Sequence, residues 1–340
     1  MKARAFAAIL MIPLALVLLA GEVQAQSPQK WSIMIFRTNL NAFDDAQQQK
    51  AFDRIKERTD GFLDVTTIFS GSLPIKNSEW FRAVSKGDLD GAVIVGDYHA
   101  GDFPLLGLIQ TPFLLRDQVE KNLAIIATFS QMQREANKLN IQFLAERPFG
   151  ESGFWSTEPI ADITNMEGRK LRAQAKSYSD IIEATNGVPV PVAWAEAYTA
   201  LQRGLVKGIF TGYDSVTGAK IHEVAPYAHR TYLSNGFAYI GVNKDNWDAL
   251  PVKVQAIVHE ELGRAMQVIQ ANVPKIISDE ISKQRAGGLK KWDSEPPKTW
   301  FDTMSKHVAI PTLTEELKKT GPAGEELIKT IEEAIGRKVR

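Results

Sequence analysis

From Trp31 to Phe36 the chain is a nearly continuous apolar run, the pattern of a strand buried on both faces. Asp44 reads as a cap for the next segment, Ala51, Phe52 and Ile55 fall at helical spacing, and Gly61 marks a stop. Phe62 to Phe69 predicts a second strand, Asn77 to Lys86 a helix, and Ala92 to Val95 a third strand. A βαβαβ start of this kind predicts a parallel sheet with helices on its faces.

A long amphipathic stretch from Asp117 to Leu139 leads to a strand at Ile141 to Ala145. A second α/β set begins near Gly153, with strands around Phe154, Lys170 and Val190 and a helix from Tyr178 to Thr185. Glu196 to Leu205 predicts a helix and Gly208 to Thr211 a short strand, and the strand-like run Gly236 to Val242 can return the chain to the first set. Pro251 opens a helical region reaching about Gln284, long enough at 1.5 Å per residue to span both sets. Gly263 is a candidate bend within it. The tail from Pro296 reads as two or three amphipathic helices packed on the outside. With no Gly/Ser linker in the chain, two lobes joined by several crossings are expected rather than two domains on a tether.

The N-terminus changes the picture first. Lys2 and Arg4 precede an apolar segment, Ile9 to Ala20, and Val23-Gln24-Ala25 supplies small residues at a cleavage position. Residues 1–25 therefore read as a signal peptide, with Gln26 as the first residue of the exported chain, in preference to an anchor of the roughly 20 apolar residues that span a bilayer. The 40 basic residues balance the 40 acidic ones, leaving no basic footprint for nucleic acid. The chain has no cysteine, which excludes disulfides, thiolate catalysis and cysteine-held metals.

Enzyme chemistry finds little support. The histidines 99, 222, 229, 259 and 307 are scattered. His222-Glu223 and His259-Glu260 open like the zinc-protease signature but lack its second histidine. Gly150-Glu151-Ser152-Gly153-Phe154 lacks the final glycine of a nucleophile elbow. Neither a Walker A loop nor a dinucleotide fingerprint is present, and no cofactor or metal is expected. Arg172, on a short predicted strand, is the residue suited to gripping a small carboxylate, with Trp194 placed to close over the carbon skeleton.

Taken in order, several motifs resemble the periplasmic solute-binding subunits of TRAP transporters, tripartite importers of organic acids. They are Phe69-Ser70-Gly71-Ser72-Leu73, Thr111-Pro112-Phe113-Leu114, the run from Asn165 to Arg172, the run from Glu196 to Gly208, and the run from Asn243 to Pro251. The resemblance covers nearly all of the chain after residue 25. It implies an α/β, two-lobe periplasmic-binding-protein fold with mixed parallel sheets, a long bridging helix and a ligand cleft between the lobes. Residues 26–150 with about 237–270 would form lobe I, and 151–236 with about 271–340 lobe II, bridged by the helix near 251–284. The implied protein is not an enzyme. It would work in the periplasm with a small and a large membrane subunit and an organic-acid ligand.

The resemblance also carries site residues. Arg172 falls on the arginine that pairs with the ligand carboxylate, and Trp194 on an aromatic against the ligand. Asn39 and Tyr98 fall where the first lobe reaches across. Thr211 stands where the family commonly has a ligand-binding asparagine, and the neighbourhood of a frequent second arginine is Glu151-Ser152-Gly153. One cation in place of two favours a monocarboxylate, with an apolar body against Trp194 and Phe210. A receptor that informs a sensor kinase and an unrecognised secreted hydrolase are the alternatives.

Overall fold

The computed structural model describes residues 27–36, 40, 43–148, 152–233 and 237–340. The strands described are β1 (Gln29–Ile35), β2 (Leu63–Phe69), β3 (Gly91–Ile94), β4 (Ile141–Pro148), β5 (Ser152–Ser156), β6 (Lys170–Ala173), β7 (Val188–Pro191), β8 (Gly208–Gly212), β9 (Tyr227–Leu233), β10 (Phe237–Asn243) and β11 (Lys291–Asp293). The first helices are α1 (Phe43–Arg58), α2 (Trp80–Lys86), α3 (Gly96–His99), α4 (Pro104–Ile109), α5 (Gln118–Asn137), α6 (Lys176–Ala184) and α7 (Ala197–Gln202). After them come α8 (Tyr213–Gly218), α9 (Ile221–Val224), α10 (Lys244–Asp248), α11 (Val252–Ala286), α12 (Thr299–Met304) and α13 (Ile310–Ile335).

Two mixed sheets organise these elements, each the centre of a lobe. The first runs β2-β1-β3-β10-β4, with β10 antiparallel to both neighbours. The second runs β11-β9-β5-β8-β6-β7, with β5 antiparallel to β8 and β9. Alternation along β1 explains its apolar character: Ile33 enters one core with α1 and α11, and Met34 enters the opposite core with α2, α4 and α5. The chain passes from sheet to sheet between β4 and β5 and again between β9 and β10.

Helix α11 is the third connection. Its 35 residues extend about 52 Å. Leu262, Ala265 and Ile269 pack in a first-lobe core, whereas Ile277 and Ile281 pack in a second-lobe core. Near its end, Gln284 accepts from Trp155 Nε1 (3.1 Å) and donates to the Tyr213 carbonyl (2.8 Å). Pro274, which lacks the N–H that completes a helical turn, lies between these two anchored halves. Gly263, the bend expected from the sequence, sits well inside the half packed on the first lobe.

The tail departs from expectation. Trp300 and Met304 of α12 are fully buried in a second-lobe core, so this segment is not an external layer. Helix α13, expected with the second lobe as part of 271–340, instead places Leu313, Leu327, Ile328 and Ile331 in the first-lobe core with Leu106 and Leu108 of α4. Arg337 then clamps Glu120 of α5 through two bonds of 2.7 and 2.6 Å. The tail is thus a further link between the lobes. Gly321 has φ +55 and divides α13 into two helical pieces.

Asp44 also takes a different part. It lies in the first turn of α1, buried, with its carboxylate 2.8 Å from Arg147 Nη2. Asp45 pairs with the same nitrogen, and Gln48 accepts from Arg147 Nε at 3.0 Å. This is a buried ion-pair cluster that fastens α1 to β4.

Candidate functional site

Strand β6 is four residues long and sits between β8 and β7, which supplies the rigidity a binding group needs. Leu171 and Ala173 face one core, so the pleat turns Arg172 to the other face. There Arg172 is only 2% exposed. Its Nε donates to the Val192 carbonyl at 2.9 Å, and Nη1 donates to Gln174 Oε1. The Trp194 ring lies 5.5 Å from the guanidinium carbon, in cation–π range. Trp194 is half-buried and packs with Val190 and Tyr198 on the second-lobe core.

The first lobe reaches this group through Tyr98. Its phenol hydrogen-bonds the Arg172 guanidinium across the lobes, and its ring stacks on Phe36 at 5.2 Å. Burial pulls the Arg172 guanidinium below its ordinary range, and the phenols of Tyr98 and Tyr178 oppose that pull. Among the described residues no carboxylate pairs with Arg172. Arg147 makes the contrast plain, since it is equally buried but paired with Asp44 and Asp45.

Sequence reasoning did not single out His99, which holds the turn beneath Tyr98. The ring is fully buried, with Nε2 2.9 Å from the Asn77 carbonyl and Nδ1 2.8 Å from the Val95 carbonyl and 3.1 Å from the Val95 nitrogen. Burial lowers its pKa. A lone histidine five residues after β3 was the available signal. Gln174, two positions beyond Arg172 on the same pleat, was likewise missed.

The structure brings Arg172, Trp194 and Tyr98 together. Thr211, on β8, is buried and shares their sheet face: Arg172 pairs in register with Ile209, and Thr211 lies two residues further on. Phe210 does not join them. It is fully buried against Phe154 (4.7 Å) and Tyr178 (6.5 Å) on the opposite face, so it cannot form the apolar wall expected of it. Neighbours on a strand point to opposite faces, and Thr211 and Phe210 could never both face the ligand. Asn39 and Glu151 lie outside the described residues. Among the described residues no group of acidic and histidine side chains is arranged to hold a metal, and no helix is long and apolar enough to cross a membrane.

Comparison with known proteins agrees with this architecture. The family model for bacterial extracellular solute-binding protein, family 7, matches residues 43–308. A solute-binding protein of Sulfitobacter sp. (strain NAS-14.1) is 24% identical over 216 residues, covering 62% of this chain and 65% of its own length. A Bordetella pertussis extracytoplasmic solute receptor binding pyroglutamic acid superposes with a TM-score of 0.80 at 18% identity, over 89% of this chain and 99% of the receptor. A TRAP periplasmic solute-binding protein of Desulfovibrio salexigens with bound orotic acid superposes with a TM-score of 0.81 at 22% identity, over 90% and 98%.

Proposed function

This chain belongs to the bacterial extracellular solute-binding protein family 7, and on that premise we propose that it captures a small organic acid through Arg172 and delivers it to the membrane subunits of a TRAP transporter. The carrying observation is a buried guanidinium with no acidic partner among the described residues, touched by a phenol from the other lobe. A buried charge is costly until it is paired, by several kcal/mol per ion. An entering carboxylate supplies the missing charge through charge-assisted hydrogen bonds, and these strengthen as closure excludes water. Monocarboxylates suit a site with a single such arginine.

Closure follows from where the ligand site stands. Arg172 belongs to the second lobe and Tyr98 to the first, so an acid held by both is bound better when the lobes are together. Only that difference in affinity can drive the hinge. Helix α11 and the passage from α12 to α13 are crossings that must flex. Residues 1–25 serve as the export signal to the periplasm, and an ion gradient, coupled through the membrane subunits, powers transport.

A thermal-shift screen of mono- and dicarboxylates tests the reading, because a ligand that binds only the folded form raises the melting temperature. The acid that shifts the wild type should leave Arg172→Ala unshifted. An Arg172→Ala protein with undiminished affinity by calorimetry would sink the anchor role. N-terminal sequencing of the exported protein should begin at Gln26.

A further inference from the structure

We propose that Gln174 is a second ligand-contacting residue, one that donates an amide N–H to the bound carboxylate and keeps the site's charge at that of Arg172 alone. This rests on Arg172 being the anchor. Gln174 lies just beyond the end of β6, half-buried, and its Oε1 accepts from Arg172 Nη1. A guanidinium has only donors, so the amide must offer it oxygen. The NH₂ group on the same amide carbon is thereby turned away from Arg172. No described residue accepts a bond from it.

Register locates that NH₂ group. Arg172 is level with Ile209, so carrying the β6–β8 register two residues on brings Gln174 level with Thr211, on Arg172's face of the sheet. An amide donor and a hydroxyl then stand side by side next to the cation. Their neighbours around Arg172 are the Val192 carbonyl, the Tyr98 phenol and the Trp194 ring. Every one of these groups is neutral, so among the described residues the charge left to satisfy is one. The NH₂ of Gln174 and the remaining N–H groups of Arg172 make a two-sided donor set for the two oxygens of one carboxylate. A second carboxylate on the ligand would be desolvated with no further cation among the described residues to meet it.

Two substitutions test this with pyroglutamate, orotate and succinate as probes. Gln174→Glu puts an acid on the buried guanidinium. The unliganded protein should melt about 2 °C higher or more, and any monocarboxylate that the wild type binds should lose at least about hundredfold in affinity. Gln174→Met keeps the length but removes both the amide donor and the oxygen that accepts from Arg172 Nη1. Its unliganded form should melt lower than the wild type, and its affinity should fall about tenfold.

A Gln174→Glu protein that melts no higher than the wild type overturns the contact between Gln174 and Arg172. Gln174→Met binding at full strength, while Arg172→Ala binds nothing, overturns the ligand contact alone. A wild type that prefers succinate overturns the single-charge assignment. If Arg172→Ala binds as the wild type does, or if the wild type binds none of the three, the anchor reading fails instead, and the melting comparison still decides the Gln174–Arg172 contact.

Discussion

The phenol of Tyr98, on α3 of the first lobe, hydrogen-bonds the guanidinium of Arg172, on β6 of the second. One bond thus ties the two halves of the molecule at the proposed ligand site, without a ligand. The arginine donates and the phenol oxygen accepts.

Removing that hydroxyl should loosen the closed form. Tyr98→Phe keeps the ring on Phe36 and loses only the bond to Arg172. The unliganded protein should show a larger radius of gyration by small-angle X-ray scattering. Apparent affinity for the bound acid should fall about tenfold, because less of the protein is held in the binding-competent arrangement. An unchanged radius of gyration would show that this bond has no part in holding the lobes together.

Arg172 should be a liability for the empty protein. Replacing a buried charge with an apolar side chain of similar size is often neutral or stabilising. Arg172→Met should therefore unfold at the same or a higher urea concentration than the wild type when no ligand is present, and yet bind no carboxylate. Arg147 should behave oppositely. Arg147→Met leaves Asp44 and Asp45 buried without their cation and should cost about 3–5 kcal/mol. Equal losses in both variants would remove the distinction between a ligand-facing and a structural arginine.

Glu146, at the end of β4 beside the crossing to the second lobe, has its carboxyl pushed up to about 7 by burial, against the pull of Lys121 and Arg147. An acid whose folded pKa is raised binds its proton more tightly in the folded state. Its stabilising contribution is complete below the unfolded value near 4.5 and is lost as pH rises through about 7. Within that window this one group lowers stability by about 1.4 kcal/mol per pH unit. Glu146→Gln should match the wild type near pH 5 and exceed it at pH 8. Urea unfolding at the two pH values reads this directly, and parallel curves for the two proteins would refute it.

His99 works in the other direction. Burial lowers its pKa from the ordinary 6.5, so the unfolded chain binds a proton that the folded chain refuses. Its contribution is present above about pH 6.5 and is lost as pH falls. His99→Leu should flatten the wild type's loss of stability between pH 6.5 and 5. At neutral pH it should cost about 1–3 kcal/mol, since the Asn77 carbonyl loses its donor. If Tyr98 depends on this turn, the same variant should also weaken acid binding, and calorimetry at pH 8 separates that effect from titration.

The local pattern of the chain determined most of the elements. The apolar run at Trp31 to Phe36, the Asn77–Lys86 region and the long stretch after Pro251 all fold as their spacing predicts, because strand and helix periodicity are properties of near neighbours. Strand β9 escaped that reading, since Tyr227 to Leu233 has His229, Arg230 and Thr231 in a row at its centre and lacks a strong apolar run. The motif around Arg172 was legible as well, as a family pattern carried by contiguous residues.

What only the tertiary structure decided concerns partners far apart in the chain. Nothing local to Ile310–Ile335 says which lobe its apolar stripe will meet; that depends on which core has an uncovered face, and α4 and α5 present it. Nothing local to Gly96–His99 places a phenol on an arginine of the other sheet, because the two meet only once both lobes are assembled. Local alternation did contain one warning, that Phe210 and Thr211 point apart, but register with β6 was needed to say which of them shares Arg172's face. The sequence alone thus determines that Arg172 sits on a short strand. Burial with no paired acid among the described residues, and the neutral ring of Val192, Gln174, Trp194 and Tyr98 around it, arise from packing between distant segments.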